Sequence, residues 1–250
     1  MTGRDLPIFF VLAGDGSWDE GTRLIPINGI ASADRFGWSV ALSGDRALIG
    51  ARYSDEIGMD SGAAYIFHRM NGVWQEEAKL VPTDGASGDA FGYDVALSGD
   101  TAFIGSPRDD DMGCNSGSVY VFVRRDDGTW EEVQKLTPAD GEPNDNFGRS
   151  VAISGDTAVI GAIGDNVNGD ASGSSYVYTK IDGKWIENVK IVPENGASYD
   201  FFGTSVAISG STALFGAPSN SGVEENTALH TLLMIFAFPD KNMFIWMYIF

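Results

Sequence analysis

Cysteine is almost missing from this chain: Cys114 is the single one in 250 residues. That excludes an intrachain disulfide and any zinc site built on several thiolates, and it leaves the redox compartment undetermined. Histidine is nearly as scarce, with only His68 and His230, so imidazole catalysis has two places to sit and no nucleophile placed beside either. Basic residues are short as well: 16 Lys and Arg face 35 Asp and Glu, a formal charge of −19. Such a surface repels phosphate backbones and anionic lipid, which argues against nucleic-acid binding and favours cations or basic partners. Long apolar runs are also lacking. Residues 229–238 and 243–250 are apolar but separated by Pro239, Asp240, Lys241 and Asn242, and neither reaches the roughly 18–20 residues of a membrane-spanning helix. The run 6–13 is short for a signal core, has Asp5 in the supposed basic region and no small-residue cleavage site after it, so no signal peptide is expected.

What the chain has in abundance is one phrase. It reads FGWSVALSGDRALIGA from Phe36, FGYDVALSGDTAFIGS from Phe91, FGRSVAISGDTAVIGA from Phe147 and FGTSVAISGSTALFGA from Phe202. The spacings are 55, 56 and 55 residues, and so constant a period denotes a repeat architecture. Within each unit two β-prone runs flank Gly44-Asp45, Gly99-Asp100, Gly155-Asp156 or Gly210-Ser211, a connector suited to a type II′ hairpin because glycine accepts the positive φ. A third strand carries Tyr65/Phe67, Tyr120/Phe122 or Tyr176/Tyr178 on one face. A second hairpin follows at Asn71-Gly72, Asp127-Gly128 or Asp182-Gly183, the pairs expected of type I′ turns. The fourth strand opens on Trp74, Trp130 or Trp185, bears Glu76, Glu132 or Glu187, and ends at Pro82, Pro138 or Pro193. Charge and proline place it at a sheet edge.

Each unit is therefore a four-stranded antiparallel meander, slender in its first two strands and bulky in its outer two. Sheets standing radially around an axis crowd at the hub and splay at the rim, so this gradient predicts an all-β fold, a β-propeller. A sandwich would give no reason for the fixed period. Residues 7–26 match the outer half of such a blade, with Trp18, Glu20 and Pro26 in register, and further blades start at 34, 89, 145 and 200. The propeller pattern covers residues 1–222, about four blades, with an outer pair lacking after the unit from Phe202. Two incomplete halves could close a ring of four, but a piece of a larger propeller is the favoured reading, given the usual range of roughly four to eight blades. Residues 223–250 fall outside the pattern. Three fates are open to them: a hairpin replacing the lost outer strands, an interfacial anchor, or sequence unrelated to the fold, which their composition favours.

With these motifs in view, FGxSVAxSGDxAxIGA followed by SGSxYVF resembles the FG-GAP repeat family, whose repeats build the heads of integrin alpha subunits. The resemblance covers about residues 7–222. It implies a secreted or cell-surface propeller for adhesion or ligand binding, not an enzyme, with a protein or glycan partner; any membrane contact would come through residues 223–250. Integrin-type repeats carry a DxDxDG calcium loop between the first two strands. Here a tight Gly-Asp turn takes that place, so that site is not carried over.

Strand alternation puts the loop after strand two and the loop before the next strand one on the same face, and both are acidic. Oxygen-rich, glycine-bearing loops suit hard cations, which makes Asp109 with Asp111, and Asp165 with Asp170, the candidate calcium ligands. Their spacing matches no full calcium loop, and aspartates that cap their own turns are the simpler reading. Asp34, Asp89, Asp145 and Asp200, each two residues before a Phe-Gly, read as turn formers, and the recurrent tryptophans as packing between blades. No residue stands out as catalytic. The leading function is a recognition module for protein or glycan, with calcium as its candidate assisting cation; the alternatives are a propeller hydrolase or lyase using loop carboxylates and a truncated piece with no activity of its own.

Overall fold

The computed structural model describes residues 8–12, 17–31, 33–219, 232–237 and 244–247. Eighteen strands make five antiparallel sheets, and no helix occurs among the described residues. The first sheet pairs β1 (Ile8–Leu12) with β2 (Trp18–Arg23). Four meanders of four strands follow: β3 (Phe36–Ser43), β4 (Arg46–Ala51), β5 (Ala63–Met70) and β6 (Val73–Leu80); then β7 (Val95–Ser98), β8 (Thr101–Ser106), β9 (Ser118–Arg124) and β10 (Trp130–Leu136). The third sheet of this kind holds β11 (Phe147–Ser154), β12 (Thr157–Ala162), β13 (Ser174–Ile181) and β14 (Lys184–Ile191), and the fourth holds β15 (Ser205–Ser209), β16 (Thr212–Ala217), β17 (Leu232–Ala237) and β18 (Phe244–Met247). The innermost strands β3, β7, β11 and β15 are successive neighbours. Val40, Val95, Val151 and Val206 thus line one inner row, as a propeller requires.

Local chemistry sets the turns. Gly44, Gly99, Gly155 and Gly210 have φ of 57°, 56°, 58° and 56°, while the residue after each stays negative, the signature of type II′ hairpins. Asn71-Gly72 and Asp182-Gly183 have positive φ at both positions, as type I′ demands. Asp127-Gly128 departs from the expected type I′ turn. Here Trp130 pairs with Arg124, Gly128 alone is positive at 90°, and Gly128 N donates to Arg125 O at 2.9 Å while Arg125 N donates to Thr129 O at 2.7 Å. The cause is one extra residue, the same one that makes the middle period 56, so the connection becomes a type I turn closed by a glycine bulge. Residues 232–237 and 244–247 supply β17 and β18, which complete the fourth sheet through pairs such as Phe215↔Met234 and Met234↔Met247. Among the described residues this pairing is the arrangement of a hairpin in the place of the outer strands. The turn at Asp15-Gly16, the segment at Ser221-Gly222 and His230 lie outside the described residues.

The outermost strands share a second device. Register shifts leave Glu77, Val133 and Asn188 as extra residues at the same point of β6, β10 and β14. Bulges of this kind twist an edge away from further pairing. Glu76, Glu132 and Glu187, expected merely to charge that edge, do more. Each accepts a hydrogen bond from the backbone just after the preceding sheet's proline: Ile27 N at 2.6 Å, Thr83 N at 2.9 Å and Ala139 N at 3.0 Å.

The apolar core lies between sheets rather than inside one. Leu48 and Ile66 pack with Val95, Ile104 and Tyr120; Phe103 and Val121 pack with Val151, Ile160 and Tyr176; Val159 and Val177 pack with Phe202 and Phe215. Trp185 meets Phe103 edge to face at 4.8 Å, so this tryptophan joins two sheets. Near the axis the contact becomes backbone on backbone. A Cβ on Gly50, Gly105 or Gly161 would lie 2.2, 2.0 or 2.0 Å from the carbonyl oxygen of Gly92, Gly148 or Gly203 in the following sheet. These are the glycines of Phe-Gly and of Ile-Gly followed by Ala or Ser, and the recurrent phrase is written for this approach. Gly105→Ala is expected to cost about 3 kcal/mol through overpacking. Gly99→Ala, which meets open space and only a positive φ, should cost about 1 kcal/mol, both read from urea midpoints.

Candidate functional site

The loops that follow β4, β8 and β12 are held to the loops that precede the next sheet by one repeated ladder. Ala90 N donates to Asp60 O and Phe91 N to Ser61 O; Asn146 N donates to Asn115 O and Phe147 N to Ser116 O; Phe201 N donates to Ala171 O and Phe202 N to Ser172 O. The bend into each Phe is left-handed, with φ of 58° at Arg35, 59° at Ala90 and 54° at both Asn146 and Phe201. Asp34, Asp89, Asp145 and Asp200 each accept the N–H three residues before them, from Ala31, Ala86, Glu142 and Ala197 at 2.7–3.0 Å. These are the turn formers expected of them. Burial pushes the carboxyl of Asp145 up to about 6, with the nearby Asp165 adding to the effect.

The candidate metal ligands fall into two groups. Asp109 is buried, accepts the Tyr120 hydroxyl at 2.7 Å and lies 2.9 Å from the Lys135 ammonium, which also sits 2.6 Å from Asp111 and 2.9 Å from Asp84. In the next sheet Asp165 is likewise buried, accepts Ser174 Oγ and Tyr176 OH at 2.8 and 3.2 Å, and pairs with Lys190 at 2.6 Å, which reaches Asp140 at 2.7 Å. Asp170 is not drawn into this set; its carboxylate accepts from Tyr199 OH at 3.4 Å. A lysine ammonium thus stands among the carboxylates where a hard cation would have to stand, and the side chains do not fit a calcium ion beside it. Although burial opposes it, the hydrogen bonds from Lys135 and Tyr120 hold the Asp84 carboxyl below its ordinary value, and Lys190 and Tyr176 do the same for Asp140. Because Asp84 and Asp140 follow the outer strand of the preceding sheet, each lysine ties two sheets together. The first sheet differs: Ser54 stands where Asp109 and Asp165 stand, and Lys79 pairs with Glu56 instead.

One cluster on this face went unread in the sequence. The Arg52 guanidinium carbon lies 3.7 Å from the Trp38 ring centroid, 4.1 Å from that of Tyr53 and 5.0 Å from that of Tyr93, and the Arg149 guanidinium carbon lies 4.3 Å from the Tyr93 centroid. Trp38 and Tyr93 meet edge to face at 5.9 Å. The signal available was variability. The position after each Phe-Gly holds Trp38, Tyr93, Arg149 and Thr204 in a chain whose neighbouring positions recur. Beside the cluster is Asp94, whose carboxylate accepts Val151 N at 2.8 Å from the next sheet. Serine occupies the equivalent place at Ser39 and Ser150, each donating to a carbonyl, of Gly92 at 3.0 Å and Gly203 at 2.7 Å. Burial pushes the Asp94 carboxyl up to about 6 against the pull of those backbone N–H groups and Arg149. Of the histidines, His68 sits in β5 opposite Arg46 and Gln75.

The FG-GAP repeat family matches four stretches of this sequence, residues 18–67, 74–122, 130–178 and 185–228. The chain belongs to the FG-GAP repeat family. A search of curated proteins finds no match to it. FG-GAP repeats form β-propeller modules that are generally non-enzymatic and are typical of extracellular and cell-surface proteins. Each matched FG-GAP unit begins on the tryptophan of an outermost strand and, in the first three, ends on the third strand of the following sheet. The unit of sequence therefore straddles two blades.

Two outcomes test this site. Lys135→Met leaves the buried Asp109 without its counter-ion and should lower stability by about 3 kcal/mol, whereas Asp111→Asn, at an exposed partner, should cost less than about 1 kcal/mol. Asp94 has an ordinary value of 3.8 and a folded one of about 6, so between those pH values the folded state holds the extra proton and stability falls as pH rises through that window. Asp94→Asn should remove about 2 kcal/mol of that decline, read from thermal melts across the window.

Proposed function

We propose that this FG-GAP propeller is a non-enzymatic recognition module, working outside the cell or at its surface, that binds a carboxylate-bearing protein or glycan on the loop face. The observation that carries the reading is the Arg52–Trp38–Tyr53–Tyr93–Arg149 stack. Tryptophan, tyrosine and arginine are the side chains on which binding free energy concentrates. Planar guanidinium groups pair with carboxylates two hydrogen bonds at a time. On a chain of charge −19, two stacked arginines make a local exception to a surface that otherwise repels anions. The acidic loops play a different part in this reading. Lys135 and Lys190 neutralise them from within, so binding proceeds without calcium, and the loop carboxylates serve as braces rather than as acid and base.

The test is a glycan array and a panel of immobilised extracellular-matrix proteins probed with the full chain. Arg52→Ala and Tyr93→Ala should each weaken the strongest binding found by about tenfold or more, and adding a calcium chelator should change neither affinity nor melting temperature. Turnover of a glycosidic substrate that disappears on changing Asp109 or Asp165 would replace this reading with the hydrolase one.

A further inference from the structure

The contact between consecutive sheets is made three times with the same parts, and the chain carries one unused half of it at each end. On the leading side of the second sheet Val95 and Leu97 are 4% and 8% exposed because Leu48 and Ile66 of the sheet before cover them. Their counterparts one period earlier, Val40 and Leu42, are 62% and 68% exposed. Only the rim of that first leading face is covered, where Leu24, just beyond β2, packs against Phe36, Ile49, Tyr65 and Phe67. β1 and β2 thus correspond to the outer half of a sheet, and among the described residues no inner pair accompanies them.

The other end presents the missing half. Gly216 is the counterpart of Gly50, Gly105 and Gly161, yet a Cβ there would meet only the Ser205 hydroxyl and the rest of that side chain and carbonyl, with no carbonyl of a following sheet. Ser205 is the counterpart of Ser39 and Ser150, which donate to the Phe-Gly carbonyls of the next sheet. Ser209 is the counterpart of Ser43 and Ser154, whose hydroxyls accept Gly99 N at 2.9 Å and Gly210 N at 3.0 Å. Ser205 and Ser209 are both exposed.

We propose that these two faces join in trans: the inner hairpin β15–β16 of one copy of this chain takes the place of that inner pair beside β3 of a second copy. Val40 and Leu42 then become buried as Val95 and Leu97 are. Ser205 Oγ donates to the Gly37 carbonyl of the second copy, Ser209 Oγ accepts its Gly44 N–H, and Gly216 receives its Phe-Gly backbone. The second copy is the occupant because the same chain's own β15–β16 leaves Val40 and Leu42 exposed. β1 is the counterpart of β5, whose inner edge pairs with β4. Among the described residues the corresponding edge of β1 pairs with no strand, and it is the edge that β16 takes on entry, exchanging β17 for β1. Two chains joined at both ends make a ring of eight sheets, three complete ones from each and one hybrid at each junction, within the range of roughly four to eight known for propellers. The contact is heterologous, so a rotation that fails to close would give longer chains of copies instead.

Analytical ultracentrifugation of the full chain over a wide concentration range tests this. The mass should rise with concentration to two chains or a multiple. Gly216→Ala blocks the trailing face and the double variant Val40→Lys/Leu42→Lys blocks the leading face. Each should remain a single chain and, at concentrations low enough that the unaltered protein is also a single chain, melt with it, since among the described residues none of these positions packs against another sheet within one copy. An equimolar mixture retains one good face of each kind and should give a pair of chains and nothing larger. A single-chain mass for the unaltered protein at every concentration, or association that survives either variant, overturns the proposal.

Discussion

The glycine of the second strand touching the carbonyl of the next sheet's Phe-Gly is the contact on which the arrangement depends. With 2.0–2.2 Å between a would-be Cβ and that oxygen, no side chain can stand between the sheets near the axis, and their spacing there is set by backbone alone. Farther out the gap widens and is filled by Phe91, Phe147, Phe202 and the aromatic pairs of the third strands, each ring meeting its neighbours at about 5–6 Å. The wedge shape of the gap follows from which residues are missing a side chain and which have a large one.

Polar groups then lock what packing allows. Serine hydroxyls reach carbonyls at the hub, glutamates of the outermost strands reach amides at the rim, and between them Lys135 and Lys190 hold carboxylates from two sheets at once. Glu77, the extra residue of its bulge, joins Arg46 of its own sheet to Arg124 of the next at 2.9 and 2.7 Å. Burial works against its charge, yet the two guanidinium groups hold its carboxyl below the ordinary range. An acidic chain with few basic residues has placed several of them at junctions between sheets, where each can serve more than one carboxylate.

Much of the fold was legible because glycine, asparagine and proline act locally: Gly44 and Asn71 dictate their turns whatever surrounds them. Asp127-Gly128 was misjudged because a dipeptide does not report the length of the loop around it, and the one-residue excess in the period was the clue. The role of Glu76, Glu132 and Glu187 was hidden since their partners lie 48 or 49 residues away. Asp109 and Asp111 looked like cation ligands because a loop read alone does not show that a lysine from a strand 24 residues later fills its centre. The Arg52 stack was hidden for the same reason, being assembled from four separate segments around one face.

The family's repeat and the sheet are out of phase. A unit that opens on Trp74 contributes β6 to one sheet and β7 to β9 to the next, so each copy of the sequence contains both sides of a junction. Loss or duplication of one whole unit would shorten or lengthen the arc by a single sheet while every remaining seam kept its matched glycine and carbonyl. A propeller written in this phase can change its number of blades without ever having to invent a new interface.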